Sequence, residues 1–246
     1  MKALIFAAGL GTRLKPITDT LPKALVPVGG EPLLAHVIRK LVSAGYDSLV
    51  VNVHHFPDQI IGYLQEHDFG VPIAVSDERD LLLETGGGIV HARPLLEGGP
   101  FLVHNVDILS NLDLAWFREQ CRPDALATLL VSQRETSRYL LFREDGRLAG
   151  WTNVATGEVR SPYPQLDLSA CRRLAFSGIH YLSPGIFQAF EALGFRGRFP
   201  IMDFYLQACA RYPIYAAVPA SLRLLDVGKP DTLALATRGG YLSVLQ

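Results

Sequence analysis

The segment 6–28, FAAGLGTRLKPITDTLPKALVPV, decides how the start of this chain folds, because a glycine loop follows an apolar run. The run over 2–8 is apolar at every position after Lys2, which is typical of a strand buried on both faces of a parallel sheet. Gly9 and Gly11 come directly after it, where a backbone needs to approach a ligand closely or adopt a positive φ. Since open α/β sheets bind ligands where strands end, we expect a binding site at this loop.

The charges of the same segment indicate what the site binds. Thr12 and the amides around it can donate to phosphate oxygens. Arg13 supplies a planar fork that suits a polyphosphate, and Lys23 a compact charge. The loop lacks the third glycine of a dinucleotide fingerprint and the lysine of a Walker A motif. The segment therefore predicts a phosphate-rich ligand held by a different kind of loop.

Outward from this segment, strand-like and helix-like runs alternate, which predicts an α/β fold with a Rossmann-like, open and mostly parallel sheet and helices on both faces. Antiparallel strands after residue 125 extend the sheet and wall off a second pocket. No hexapeptide repeat is present, so no left-handed β-helix is expected. The predicted strands are 2–8, 48–53, 72–75, 101–106, 125–132, 138–143, 147–152, 174–181, 214–219 and 222–227. The predicted helices are 31–44, 57–65, 86–92, 185–193 and 202–210.

The composition narrows the class of protein. The chain has 246 residues, 49% of them hydrophobic, which is enough for one compact core. A net charge of −1 argues against a nucleic-acid partner. The scattered cysteines Cys121, Cys171 and Cys209 predict buried thiols in a reducing compartment rather than a metal site. No apolar run is long enough to span a membrane, and no signal peptide is seen, so we expect a cytoplasmic protein.

Taken whole, segments 7–18 and 22–28 resemble the signature of the sugar-1-phosphate nucleotidyltransferase family, A-A-G-x-G-T-R-L-x-P-x-T followed by P-K-x-L-x-P-V. The resemblance implies a GT-A-like nucleotidyltransferase fold and the reaction of a nucleoside triphosphate with a sugar 1-phosphate, giving a nucleotide sugar and pyrophosphate. It implies two catalytic residues, Arg13 on the triphosphate and Lys23 between the α-phosphate and the sugar phosphate. The nucleotide-binding residues implied for the first loop are Ala7, Ala8, Gly9, Gly11, Thr12 and Arg13.

A second glycine-rich segment resembles the loop that reads the base in this family. It is LETGGGI over 83–89, at the start of a predicted helix. Its glycines leave room for backbone N–H and C=O groups to reach a base edge. The residues implied to bind the nucleotide are Glu84, Thr85, Gly87 and Gly88.

Two acidic residues at the ends of strand-like runs resemble the metal ligands of the family. Asp107 ends the segment FLVHNVD over 101–107, in which Val106 replaces the usual glycine. Asp226 lies in LDVGKP over 225–230. The resemblance implies that the two carboxylates share one Mg²⁺ as cofactor.

The sugar side of the site resembles the family more loosely. The chain is read as a single domain, 1–246, with a nucleotide-binding half over 1–124 and a sugar-binding half over 125–246. The E-K-P motif whose glutamate holds sugar hydroxyls in many members is missing, and GWTN stands in that region. The residues implied for the sugar are Asn105, Asn153 and Gly178.

The short chain and the E-T-G-G-G loop are most like the N-acetylmuramate-1-phosphate uridylyltransferases, and next like the mannose- and heptose-1-phosphate guanylyltransferases. The expected partners are UTP and a sugar 1-phosphate, in a monomer or small homo-oligomer. Guanine stays open, because Glu84 or Glu78 could accept from its N1–H and N2–H₂ groups. So does a cytidylyltransferase for choline phosphate, with an aromatic cage from Tyr139, Trp151 and Tyr181. A non-catalytic sugar-nucleotide sensor is the alternative outside this class.

Overall fold

The fold is built on one large sheet flanked by helices. The computed structural model describes residues 1–238. Its strands are β1 (Lys2–Phe6), β2 (Pro27–Val28), β3 (Glu31–Pro32), β4 (Ser48–Val53), β5 (Ile73–Asp77), β6 (Phe101–Asn105), β7 (Ile108–Ser110), β8 (Ala127–Ser132), β9 (Arg138–Phe142), β10 (Leu148–Asn153), β11 (Glu158–Arg160), β12 (Arg172–Leu182), β13 (Ile214–Ala217) and β14 (Leu224–Asp226).

Helices connect some of these strands. The α-helices are α1 (Leu33–Ser43), α2 (Pro57–Glu66), α3 (Glu84–His91), α4 (Arg93–Leu96), α5 (Leu114–Glu119), α6 (Ile186–Ala192), α7 (Ile201–Ala208) and α8 (Pro230–Thr237). Three short 3₁₀ helices follow the glycine loop, at Thr12–Leu14, Ile17–Asp19 and Lys23–Leu25. Within residues 1–238, every helix is too short or too polar to cross a bilayer.

The large sheet combines a parallel and an antiparallel part. Its order is β11-β10-β9-β12-β6-β1-β4-β5, with β8 paired to β12 and β13 paired to β8. The strands β6, β1, β4 and β5 are parallel, whereas β12 runs antiparallel to β6, β8 and β9. The long strand β12 therefore joins the two parts, and the predicted α/β fold with an antiparallel extension is confirmed.

Two apolar cores lie on opposite faces of the sheet. Successive residues of β1 point alternately into them, with Ala3 and Ile5 in one core and Leu4 in the other. This arrangement explains the unbroken apolar run of β1, because such a strand has no solvent-facing side. The first core packs against α1, and the second against α6 and α7.

Local signals placed the ends of the early elements well. The predicted strand 48–53 coincides with β4. The predicted helix 31–44 begins later, at Leu33, because Pro32 is its N-cap, and ends before Gly45, which has a φ of 84°. The split into halves at residue 124 stays a prediction, and residues 239–246 of the second half lie outside the described residues.

The segment 222–227 is predicted as a strand of the sheet. It does contain a strand, but the prediction is wrong about the sheet to which that strand belongs. Its strand β14 pairs antiparallel with β7 in a separate two-stranded ribbon. The short segment Ile108–Ser110 carries too little pattern to be predicted as a strand. Because Asp226 pairs with Ile108 in this ribbon, the late acidic segment is fastened next to the end of β6.

Candidate active site

A cavity of about 400 Å³ opens at the carboxyl ends of β1, β4 and β6. It is the position at which an open α/β sheet binds its ligands. The residues that line it are Phe6, Ala7, Ala8, Gly9, Lys23, Asn52, Leu82, Glu84, Thr85, Asn105, Val106, Asp107 and Pro200. Eight of the residues singled out from the sequence are among them: Ala7, Ala8, Gly9, Lys23, Glu84, Thr85, Asn105 and Asp107.

The glycine loop is held in place by a buried asparagine at the end of the neighbouring strand. Asn52 Oδ1 accepts hydrogen bonds from Ala7 N at 2.7 Å and Ala8 N at 3.3 Å. These two amides are therefore engaged with Asn52, and the next amide available to a ligand is that of Gly9. No atom lies within 4 Å of the position of a Cβ on Gly9, so the backbone is open there.

Gly11 forms the tight turn that ends the loop. Its φ is 63°, a left-handed conformation that favours glycine. A Cβ at this position would lie 2.7 Å from Thr18 Cγ2, so a side chain would also collide. The carbonyl of Gly11 accepts hydrogen bonds from Leu14 N and Thr18 Oγ1, both at 2.8 Å. The turn directs Thr12 and Arg13 into the first 3₁₀ helix.

Lys23, Asp107 and Asp226 come together beside the cavity although the chain separates them widely. Lys23 Nζ forms an ion pair with Asp107 Oδ2, and Lys23 is only 9% exposed. The ribbon of β7 and β14 brings Asp226 alongside, and Val227 N donates to the carbonyl of Asp107 at 2.8 Å. Burial raises the pKa of Asp226, and the nearby charge of Asp107 raises it further, whereas Lys23 and Arg13 lower it.

Arg13 lies on the outer side of this cluster. A Cβ on Gly228 would lie 2.5 Å from Asp226 Oδ1 and 2.6 Å from Arg13 Nη2. The absence of a side chain at Gly228 therefore allows the guanidinium and the carboxylate to approach the same stretch of backbone. Arg13 is exposed, so its fork of donors is available to an anion.

The donor set suits a hard divalent cation. Two carboxylates lie together, and no group of three or more His, Cys, Asp or Glu side chains that could hold a metal occurs in residues 1–238. Mg²⁺ is commonly bound by one or two carboxylates together with water and substrate phosphates. Asp107 and Asp226 therefore fit Mg²⁺ that arrives with a phosphate-bearing ligand better than a metal held by protein alone.

The segment 83–87 is packed against a later part of the chain. Gly86 N and Gly87 N both donate to the carbonyl of Phe199, at 2.9 and 3.2 Å. A Cβ on Gly86 would lie 2.1 Å from the Phe199 ring, and a Cβ on Gly87 would lie 2.2 Å from the carbonyl of Gly197. These glycines are thus required for close packing between two segments of the protein.

The same packing decides where the glycines lie relative to the cavity, while the role of Gly87 and Gly88 in reading the base stays a prediction. Gly87 and Gly88 are buried and do not line the cavity. A Cβ on Gly88 would lie 2.8 Å from Glu78 Oε1, so Gly88 makes room for a buried carboxylate. Within the segment 83–89, Glu84 and Thr85 are the residues that reach the cavity.

Asn52 and Glu78 form a buried link that the sequence analysis missed as a structural feature. Asn52 Nδ2 donates to Glu78 Oε1 at 2.8 Å, and Leu83 N donates to Glu78 Oε2 at 3.3 Å. Burial raises the pKa of Glu78, while these hydrogen bonds act in the opposite direction. The link connects the glycine loop to the segment before α3. The available signal was Asn52, a polar residue that follows three apolar residues within strand β4.

The residues predicted for the sugar are separated by the structure. Gly178 has a φ of 72°, and a Cβ there would lie 2.7 Å from Asn105 Nδ2, so these two residues are neighbours at the end of β6. Asn153 is instead the last residue of β10, and its Oδ1 accepts from Ala155 N in the following turn at 3.1 Å. It does not line the cavity, and its side chain serves the turn.

The aromatic residues considered as a choline cage do not converge. Tyr181 pairs with Leu102 near the start of β6, whereas the cavity lies at the end of that strand. Tyr139 and Trp151 belong to the neighbouring strands β9 and β10. The structure thus gives no support to the choline-phosphate alternative.

A glycine loop, a buried lysine and two acids lie together at the carboxyl edge of an α/β sheet, and this set of groups suits a phosphate-bearing ligand with a divalent cation. A family model described as nucleotidyl transferase matches residues 2–238. The N-acetylmuramate alpha-1-phosphate uridylyltransferase of Caulobacter vibrioides is 33% identical over 241 residues, which cover 93% of this chain and 92% of that protein. The mannose-1-phosphate guanyltransferase of Schizosaccharomyces pombe is 37% identical over 147 residues, covering 56% of this chain and 40% of that protein.

The solved structure of HddC from Yersinia pseudotuberculosis shares the fold, with a TM-score of 0.76 at 22% identity over 96% of this chain and 97% of that one. The chain belongs to the nucleotidyl transferase family. It is an enzyme of the class that transfers a nucleotidyl group to a sugar 1-phosphate.

Proposed function

We propose that this enzyme transfers the uridylyl group of UTP to N-acetylmuramate 1-phosphate, or to a related hexose 1-phosphate, and releases pyrophosphate. The observation that carries the reaction is the cluster of buried Lys23 with Asp107 and Asp226 beside the cavity. The similarity to the Caulobacter vibrioides uridylyltransferase along nearly the whole chain supports the choice of substrates.

The reaction needs neutralisation of charge more than it needs proton transfer. An anionic oxygen of the sugar phosphate attacks the α-phosphorus of UTP, and the bond to the bridging oxygen breaks as pyrophosphate leaves with the electron pair. The nucleophile is already ionised, so no general base is required. Positioning and electrostatic stabilisation therefore supply most of the catalysis.

The residues of the cluster have separate roles in this proposal. Lys23 donates to an α-phosphate oxygen and offsets the charge that gathers there. Arg13, which is exposed next to Gly228, holds the departing pyrophosphate. Asp107 and Asp226 hold Mg²⁺, which when bound supplies positive charge to the phosphate oxygens.

The preference for uracil over guanine is supported by the state of the two nearby carboxylates. Guanine presents N1–H and N2–H₂ donors side by side, an edge that suits the two oxygens of a free carboxylate. Both oxygens of Glu78 are engaged by Asn52 and Leu83 N, and Glu84 is paired with Arg198. Uracil, with O2, N3–H and O4, does not require such a group.

The test is to incubate the enzyme with each of the four nucleoside triphosphates and a panel of sugar 1-phosphates, and to measure released pyrophosphate. We expect the highest kcat/KM with UTP and N-acetylmuramate 1-phosphate, and loss of turnover with EDTA. A kcat/KM for GTP above that for UTP with every sugar phosphate would contradict the proposed base. Turnover that EDTA leaves unchanged would contradict the metal role.

A further inference from the structure

The segment 197–201, here called the clamp, is hydrogen-bonded to the cavity wall at residues 83–85. Phe199 N donates to the carbonyl of Leu83 at 3.2 Å. Ile201 N donates to Thr85 Oγ1 at 2.9 Å. Gly86 N and Gly87 N also donate to the carbonyl of Phe199. These hydrogen bonds fix the segment 83–87 from its first residue to its last. The clamp comes from the second half of the chain, whereas the wall that it holds belongs to the first.

Glu84 has the most strained backbone conformation of this wall, and the contacts with the clamp help to hold it. Its φ is 61°, in the left-handed region that residues with a side chain rarely adopt. Such conformations persist where the surroundings hold them and are frequent at functional sites. Arg198 Nε donates to Glu84 Oε1 at 2.9 Å, and Glu84 lines the cavity. The side chains are 56% and 33% exposed, so this ion pair contributes little to stability. A role in binding accounts for it better.

We propose that Arg198 is a specificity-determining residue that makes the enzyme select UTP against GTP. This inference rests on the proposed function. A guanidinium has donors and no acceptor. Its Nε donates to Glu84 Oε1, so the charge of this carboxylate on the cavity wall is already paired when the N1–H and N2–H₂ groups of guanine approach it. The same donors are compatible with the O2 and O4 acceptors of uracil. Glu78 offers no substitute, because both of its oxygens are engaged in the buried link.

The test measures nucleotide binding and does not depend on the sugar. The dissociation constants of UTP and GTP are determined by calorimetry in the presence of Mg²⁺ for the unaltered protein and for Arg198→Ala. We expect the unaltered protein to prefer UTP, and Arg198→Ala to shift the ratio of the two constants toward GTP by about tenfold, the range of one bidentate base contact. Arg198→Lys restores the charge next to Glu84 and should return most of the preference.

Two further variants separate selection from general damage. Arg196→Ala removes an exposed arginine of the same loop but leaves the ion pair between Arg198 and Glu84, so it should leave the ratio unchanged. The double variant Arg198→Ala with Glu84→Gln should lose the gain in GTP affinity, because an amide cannot accept from both guanine donors.

An Arg198→Ala ratio within twofold of the unaltered one, or no preference for UTP in the unaltered protein, would overturn the inference. A shifted binding ratio without pyrophosphate release from any sugar 1-phosphate would support the inference and contradict the proposed function.

Discussion

Lys23 shows how a single residue in this site depends on its neighbours. A lysine that is 9% exposed needs a compensating charge, and Asp107 supplies it in the absence of substrate. The same lysine faces Asp226, whose ionised form is disfavoured by burial and by Asp107. The resting cluster therefore holds two acids and one buried base. In the proposed reaction, the phosphate groups of the substrates and Mg²⁺ would complete the charge balance of the cluster.

Lys23→Ala is expected to lower turnover by at least about 100-fold, since it removes charge from the α-phosphate in the transition state. It should also lower the melting temperature, because Asp107 is left next to Asp226 without its partner. The control is Lys15→Ala, which removes an exposed lysine paired with Asp19 and should retain turnover.

Arg13→Ala should lose turnover to a similar extent as Lys23→Ala, with little change in melting temperature, since Arg13 is exposed. Near-normal pyrophosphate release in both Lys23→Ala and Arg13→Ala would remove this segment from the catalytic site.

Asp226→Asn is expected to lower turnover without lowering the melting temperature, unlike Lys23→Ala, which should lower both. Desolvation and the neighbouring charge of Asp107 raise the pKa of Asp226, so its ionised form is costly in the protein without ligand. The neutral amide should leave the melting temperature unchanged or raise it slightly, while turnover falls by orders of magnitude at any Mg²⁺ concentration. Thermal unfolding and turnover against Mg²⁺ measure the two effects. Full turnover of Asp226→Asn at saturating Mg²⁺ would show that Asp107 needs no second carboxylate.

At the scale of secondary-structure elements, glycines in helices have opposite meanings in α2 and α3. Gly62 lies in α2 with no atom within 4 Å of a Cβ position. Gly86 lies in α3 against the ring of Phe199, which packs in turn on Phe190 and Phe195. One glycine leaves open space, and the other allows the clamp to dock.

Gly86→Ala should destabilise the protein by about 1–3 kcal/mol, the usual cost of forcing an extra group into a packed core. It should also weaken nucleotide binding, because Phe199 and the clamp must shift. Gly62→Ala is the matched control and should stabilise the protein by about 1 kcal/mol through helix propensity alone. Urea unfolding of both variants measures the difference. A Gly86→Ala protein as stable as the control would show that the clamp adapts without cost.

Over the whole molecule, stability against acid depends on two histidines buried in the sheet. Burial lowers the pKa of His104 to about 4 and that of His180 to about 3, from an ordinary value of 6.5. His104 donates through Nδ1 to the carbonyl of Asn105 at 2.8 Å, and His180 pairs with the Tyr205 hydroxyl. Both are neutral in the folded protein at physiological pH.

These lowered pKa values fix the sign of the pH dependence. Below about pH 6.5 the unfolded chain takes up protons that the folded protein does not, so stability is present at neutral pH and is lost as pH falls toward 4. Each histidine should contribute a slope of about 1.4 kcal/mol per pH unit in that range. Urea unfolding between pH 7.5 and 4.5 measures it. His180→Gln should reduce the slope by about that amount, whereas His67→Gln, at an exposed position, should not. An unchanged slope in His180→Gln would contradict the assignment.

Much of this architecture follows from the sequence by itself. The strand β1, the helix α1 and the glycine loop were predicted from local patterns, because the period of apolar residues and the positions of glycine and proline act over a few residues. Lys23, Glu84, Thr85 and Asp107 were likewise identified from motifs, and the structure places them around one cavity.

The remaining features were decided by contacts between distant segments. The β7–β14 ribbon, the Asn52–Glu78 link and the docking of the clamp on α3 join residues that are 26 to more than 110 positions apart. The glycines of α3 look like a ligand loop in the sequence, and only the position of Phe199 shows that they make room for packing. Local patterns determine whether a segment forms a helix, a strand or a turn. The partners of buried donors, acceptors and charges are decided by tertiary contacts, because those partners come from distant parts of the chain.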